Sequence, residues 1–183
     1  TPKYFSIDVQ NYSQKLLKML VIKKNLKYPL VVKPINEGSS IGVKICKNFE
    51  LLKQNTEKLL RNYKTIIVEK FIGGQEIQVA VMNGKALGAI ELRPRRKFYD
   101  YKAKYTKSAR TKHIMPANLN KKKYREILRL AEKAHRALKC RGISRSDFKF
   151  EKNKFSILEI NTQPGMTSLS LVPEIAKYTG VSF

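Results

Sequence analysis

The chain has 183 residues, enough for one domain or two small ones, and its 42% apolar content suits a globular protein. No apolar run approaches the ~20 residues of a membrane span and no signal-peptide pattern opens the chain, so a helix-spanning protein is excluded. The formal charge of +24 invites a nucleic-acid reading, yet Lys supplies 28 of the 38 basic residues and they are scattered along the chain. Lys, Asn and Ile are all frequent, a pattern that AT-rich coding also produces, and a basic surface concentrates anions such as nucleotides. Cys46 and Cys140 have no Cys or His nearby at metal-ligand spacing and read as free thiols in a reducing compartment. His113 and His135 are isolated and read as surface residues.

In chain order, Ser13 to Lys24 carries helical apolar spacing at Leu16, Leu17, Leu20 and Val21, with Ser13 as N-cap. Strands follow near 30–33 and 42–46. Between them lies Glu37-Gly38-Ser39-Ser40-Ile41-Gly42, after Pro34 has ended the first ladder. Gly38 and Gly42 permit positive φ or a close approach, so the loop can curl its N–H groups around an oxyanion; a tight hairpin is the alternative. It is not a Walker A loop, since no Gly-Lys-Ser/Thr follows at the required spacing. A second helix starts after Asn48 and directs Leu51, Leu52, Leu59 and Leu60 to a core. Thr65 to Phe71 reads as a strand, punctuated by Gly73-Gly74. Glu76 to Met82 and Lys85 to Leu92 flank Asn83-Gly84, a strong hairpin signal. Residues 93–112, nine of them Lys or Arg among twenty, form a long loop without period and are expected to be a mobile lid. Asn120 caps a helix running to about Lys139, Ile143–Phe150 and Phe155–Ile160 form a last hairpin, and a helix near 169–178 ends the series. The whole reads as mixed α+β, with two layered halves, 1–72 and 73–183, meeting near Gly73.

The stretch ISRSDFKFEKNKFSILEINTQPG is the most informative. Alternation puts Arg145 and Asp147 on one strand face, and Glu159 and Asn161 on one face of the next. If Asp147 lies opposite Glu159, then Arg145 lies opposite Asn161, and the connection must hold an odd number of residues, most simply Lys152-Asn153-Lys154. Two carboxylates and an amide oxygen suit Mg²⁺, and an adjacent guanidinium suits a transferred phosphoryl group or an oxyanion. A surface ladder of paired charges would use the same residues.

Taken together, VVKPxxEGSSIGV, IVEKFIGGQE, FYDYKAKY and RSDF…LEINTQPGMTSLSLVPE resemble the D-alanine–D-alanine ligases of the ATP-grasp superfamily, in family order over essentially the whole chain. The resemblance implies two α+β subdomains that sandwich ATP: 1–72 as the central, ATP-binding one and 73–183 as the one bearing metal and substrate. It also implies roles. Lys33 reaches a phosphate, Glu69 and Lys70 line the nucleotide pocket, and backbone at Phe71 and Ile72 reads the adenine edge. Glu76 holds the ribose hydroxyls and Lys104 contacts the γ-phosphate. Asp147, Glu159 and Asn161 ligate two magnesium ions, which manganese could replace. Arg145 and the Gly165 backbone form the oxyanion site. Ser170 receives the second D-alanine's carboxylate, and Ser39 with Tyr105 forms a closure pair near the first. The resemblance further implies a cytoplasmic enzyme of peptidoglycan precursor synthesis, a homodimer at full length, with no nucleic-acid or membrane partner.

Departures from the family pattern accompany the match. Ser144 and Ser146 flank the Arg-x-Asp where small or apolar residues are usual, which is expected to loosen the packing beneath the site. The 147–159 span is about one residue short. The N-terminal substrate domain and a final helix of the family have no counterpart in the sequence, so it reads as a fragment of a longer protein, able to bind ATP but expected to ligate poorly in isolation. Two other readings stay open on the sequence: an ATP-grasp carboxylate–amine ligase with other substrates, and a non-catalytic basic module for nucleotides or nucleic acid.

Overall fold

Short polar caps start the helices. Ser13 Oγ accepts from the Leu16 amide ahead of α1 (Gln14–Lys23), and Asn48 Oδ1 accepts from Leu51 ahead of α2 (Phe49–Leu60). Asn120 Oδ1 does the same for Lys123 at the start of α3 (Lys121–Ala137). A fourth helix, α4 (Leu171–Tyr178), follows Ser170. The computed structural model describes residues 1–38, 40–94 and 111–182. These fall into two compact units that divide after Ile72.

The first unit is an antiparallel sheet in the order β1-β4-β2-β3, built from β1 (Tyr4–Asp8), β2 (Leu30–Pro34), β3 (Lys44–Cys46) and β4 (Thr65–Lys70). One face buries Phe5, Ile7, Leu30, Val32, Ile66 and Val68 against Leu17 and Val21 of α1 and Leu52 and Leu59 of α2. Leu51, expected in this core, is 38% exposed. It occupies the third position after the Asn48 cap, where the helix has only begun its turn toward the sheet. Strand β1 is absent from the sequence reading. Its alternation is only five residues long and its partner, β4, lies about sixty residues away in the chain. In the loop after β2, Gly42 (φ +73) is needed twice, since a side chain there would also strike the Pro34 ring. Gly38 has open space around it, and it is Ser40 that takes positive φ (62°) beside Gly42.

The second unit holds a five-stranded antiparallel sheet, β7-β6-β5-β8-β9. Its strands are β5 (Gln75–Met82), β6 (Lys85–Arg93), β7 (Lys112–Ile114), β8 (Ile143–Glu151) and β9 (Lys154–Asn161). Asn83 and Gly84 both take positive φ between β5 and β6, as a two-residue hairpin turn requires. The 93–112 loop is narrower than expected: Arg93 closes β6 and Lys112 opens β7, which pairs with β6. The remainder of the expected lid, 95–110, lies outside the described residues. Helix α3 covers one face of the sheet through Ile127 and Ala131, packed with Ile77, Val79, Val81 and Phe148. Helix α4 covers part of the other through Val172 and Ile175, packed on Ala80 and Ile90.

Two residues beneath this sheet correct the sequence reading. His135 is buried, 3% exposed, with Nδ1 2.7 Å from Ser144 Oγ. A histidine in a helix's last turn looks solvated in sequence, and only the α3–β8 packing reveals its partner. Ser146, two residues along β8 from Ser144, is fully buried with no hydrogen-bond partner for its Oγ among the described residues.

Candidate active site

The chemistry-bearing face is the one α4 covers in part. Pairing of β8 with β9 sets Asp147 opposite Glu159 and Arg145 opposite Asn161. The connection that produces this pairing is not the odd loop expected from the sequence. Glu151 pairs with Lys154 across a two-residue turn, with Lys152 (φ 47°) and Asn153 (φ 65°) both left-handed. Continued regularly, that register would place Glu159 on the α3 face. A bulge between Phe148–Ile157 and Asp147–Glu159 absorbs Leu158 and restores it. Phe150 and Phe155, stacked at 4.5 Å, thus serve the α3 core, while Glu159 and Asn161 serve the opposite face. The bulge is what a two-residue turn requires if Asp147 and Glu159 are to share a face.

Arg145 grips Asp147 with both arms, Nε to Oδ1 at 2.8 Å and Nη2 to Oδ2 at 3.0 Å. Asp147 is only 5% exposed. Burial pushes its carboxyl up to about 7, against the opposing pull of Arg145 and with a further push from Glu159. Asn161 Nδ2 donates to Glu159 Oε1 at 3.4 Å, and Glu159 itself is exposed. Among the described residues no three His, Cys, Asp or Glu side chains cluster at metal-binding range; the oxygen donors this face offers are two carboxylates and an amide. That set fits a hard cation that keeps waters and takes phosphate oxygens. The Arg145 fork does not block it, because each carboxylate oxygen has a second lone-pair direction.

The titration of Asp147 has a measurable consequence. The folded chain keeps this proton to about pH 7 while an unfolded aspartate loses it near 3.8, so the native state binds more protons between those values. Its stabilising share is full below that window and lost as pH rises through it. In magnesium-free buffer, Asp147→Asn is expected to flatten the decline of stability across this window, read from denaturant midpoints at several pH values. Equal pH slopes for the two proteins would contradict the assignment.

Strand β5 adds two residues to the same face. Glu76 lies opposite Lys149, with Nζ 3.0 Å from Oε2, and Gln78 lies opposite Asp147. Gln78 is 1% exposed and its Oε1 has no donor among the described residues. Sequence reasoning passed over Lys149 and Gln78; alternation puts both on the Asp147 face once β5 is known to pair with β8, a non-local fact. The loop after β9 brings Gly165 against Ser170, since a side chain at 165 would strike Ser170 Oγ. Ser170 Oγ is held by the Thr167 amide at 3.1 Å and the Thr167 hydroxyl at 2.9 Å and makes no capping bond, although Ser170 is the N-cap of α4.

In the first unit, Lys33 Nζ pairs with Glu69 Oε1 at 2.8 Å, both on the sheet face away from α1 and α2. Lys70 lies opposite Leu30 and so belongs by alternation to the other face, at its exposed end. The Phe71 amide is already given to the Pro29 carbonyl at 3.3 Å, and Ile72 ends the unit. Ser39, Lys104 and Tyr105 lie outside the described residues.

Two antiparallel sheets, each backed by helices and together carrying these motifs, are the architecture of ATP-grasp ligases. The family model described as "D-ala D-ala ligase C-terminus" matches residues 1–183, and the chain belongs to that family. It is 56% identical over its whole length to the D-alanine–D-alanine ligase of Pelagibacter ubique, covering 59% of that protein. It is 49% identical to the one of Geotalea uraniireducens over 156 residues, 85% of this chain and 50% of that protein. Among solved structures, the D-alanine–D-alanine ligase of Bacillus anthracis is similar over all of this chain and 57% of its own, with a TM-score of 0.82 and 30% identity. The VanG D-Ala:D-Ser ligase of Enterococcus faecalis matches all of this chain and 53% of its own, with a TM-score of 0.84 and 31% identity. The chain thus spans between half and three-fifths of the length of these relatives.

Proposed function

We propose that this chain forms the nucleotide-binding and catalytic part of an ATP-dependent ligase that joins two D-alanine molecules through an acyl phosphate, supplying a dipeptide for peptidoglycan synthesis in the cytoplasm. The observation that carries this reading is the Asp147–Glu159 and Arg145–Asn161 pairing on one sheet face. It occurs in a chain 56% identical to a relative named D-alanine–D-alanine ligase.

Lys33, paired with Glu69, meets a phosphate as a compact point charge. Lys104 takes the γ-phosphate and Glu76 accepts from the ribose hydroxyls, while Lys70, on the opposite sheet face from Lys33 and Glu69, reaches a nucleotide only from the exposed end of β4. With the Phe71 amide committed to Pro29, the Phe71 carbonyl and the Ile72 backbone are what remain for the adenine edge. Magnesium, as two ions or manganese in their place, held by Asp147, Glu159 and Asn161, would supply charge neutralisation at the triphosphate.

The carboxylate of the first D-alanine attacks the γ-phosphorus, an O–P bond forms, and ADP leaves. The amine of the second then attacks the acyl carbon; a C–N bond forms, phosphate departs with the former carboxylate oxygen, and the amine gives up a proton. Arg145 and the Gly165 amide meet the oxyanion between those events; one such donor is worth ~10²–10³ in rate. Ser170, at the N-terminus of α4, receives the second carboxylate, where the helix dipole favours an anion. Ser39 and Tyr105 are the residues that the resemblance assigns to the first amino acid, whose acyl phosphate has to be kept from water.

The test is isotopic. With D-alanine labelled by ¹⁸O in its carboxylate, the full-length protein should release phosphate carrying one ¹⁸O per dipeptide. Dipeptide formed with unlabelled phosphate would rule out the acyl phosphate.

A further inference from the structure

Lys149 is a cation on the Asp147 face, withdrawn from water, that the ligase chemistry above leaves without a task. It sits directly opposite Glu76 on the two adjacent central strands of the sheet. Its Nζ lies 3.0 Å from Glu76 Oε2, and the two side chains are only 18% and 15% exposed. A flexible four-carbon stem and a long carboxylate side chain are thus both held in single positions. An ion pair so far withdrawn from water is weak evidence for stability, because desolvation offsets its attraction and apolar residues fill such places as well. What the pair does fix is direction. With Oε2 given to Lys149, Glu76 keeps Oε1 as an acceptor that has no donor among the described residues. An ionised carboxylate only accepts, so the group that completes Oε1 must be a donor such as a hydroxyl.

We propose that Lys149 is a positioning residue of the nucleotide site, holding the Glu76 carboxylate so that its second oxygen meets the ribose hydroxyls. This rests on the ribose role given to Glu76 above. It follows that Lys149 governs discrimination for the sugar and not affinity for the triphosphate. Lys149 is within reach of Glu76 only because β5 and β8 are in register, and it touches no reacting atom.

The experiment compares magnesium-dependent binding of ATP and 2′,3′-dideoxy-ATP to the wild type, Lys149→Met, Lys149→Arg and Glu76→Gln by calorimetry. The wild type should prefer ATP by about tenfold or more, the ratio expected for hydrogen bonds to a charged acceptor. Lys149→Met and Glu76→Gln should each bring that preference below about threefold, with affinity for the dideoxynucleotide within about twofold of the wild type. The unchanged dideoxynucleotide affinity reports that the variants are folded. Lys149→Arg should keep the preference, since a guanidinium can hold the same oxygen. A Lys149→Met protein that retains the full preference, or that loses both nucleotides in equal proportion, overturns the positioning role while leaving the nucleotide site intact. A Glu76→Gln protein that keeps the preference overturns it as well. Absence of nucleotide binding in the wild type would instead overturn the proposed function, and this inference with it.

Discussion

Glu159→Gln is expected to abolish dipeptide formation, lowering the turnover rate of the full-length protein by at least about 10²–10³-fold, the scale of losing one preorganised electrostatic partner of the reacting phosphoryl group. Glu151→Gln on the same hairpin should leave the rate within about twofold, because surface substitutions away from the reacting groups act weakly. The contrast comes from the sheet. Glu159 stands opposite Asp147, while Glu151 stands at the turn opposite Lys154. Glu151 has a local duty, since its Oε1 accepts from the Gly73 amide at 3.2 Å, but a glutamine oxygen accepts equally well. Steady-state rates of the two variants decide the matter, and equal activities would remove Glu159 from the site.

The second large effect falls on stability. Gly74→Ala is expected to cost about 3 kcal/mol, combining ~1–2 for a side chain in the left-handed region with ~1–3 for overpacking. Gly74 takes φ +76, and a Cβ there would sit on the Phe150 carbonyl oxygen, a backbone group of β8 that cannot swing aside. Gly84→Ala provides the control. Its φ is +78 but a Cβ there meets nothing within 4 Å, so only the conformational part should appear, about 1 kcal/mol. Denaturant midpoints of the two variants measure the difference. Equal losses would mean that the β4–β5 connection is not pressed against β8.

These two cases mark how far the sequence could be read. The helix caps Ser13, Asn48 and Asn120 were legible because each is one polar residue set just before a helical period. The Asn83-Gly84 turn was legible for the same local reason. The Asp147–Glu159 pairing was legible from the demand that two carboxylates share a face, although the turn was misjudged. Lys152 at positive φ is unusual for its residue type, and a bulge at Leu158 leaves no mark in the sequence, since the same span also fits a three-residue loop without one. What stayed hidden depends on pairing across long separations. Strand β1 exists because β4 receives it, β7 because β6 does, and His135 is buried because Ser144 of β8 lies beneath α3. Lys149 and Gln78 joined the site for the same reason, through β5–β8 register.

The most direct test of the central claim, that the β8–β9 face holds magnesium for a bound nucleotide, is calorimetric titration of ATP into the wild type and Glu159→Gln with and without Mg²⁺. Binding to the wild type should require magnesium and persist at raised salt, since a metal–nucleotide pocket depends on the ion and a phosphate-backbone binder loses affinity steeply with salt. Glu159→Gln should lose the magnesium dependence. ATP binding that is indifferent to magnesium, or that fades with salt alone, would contradict the account.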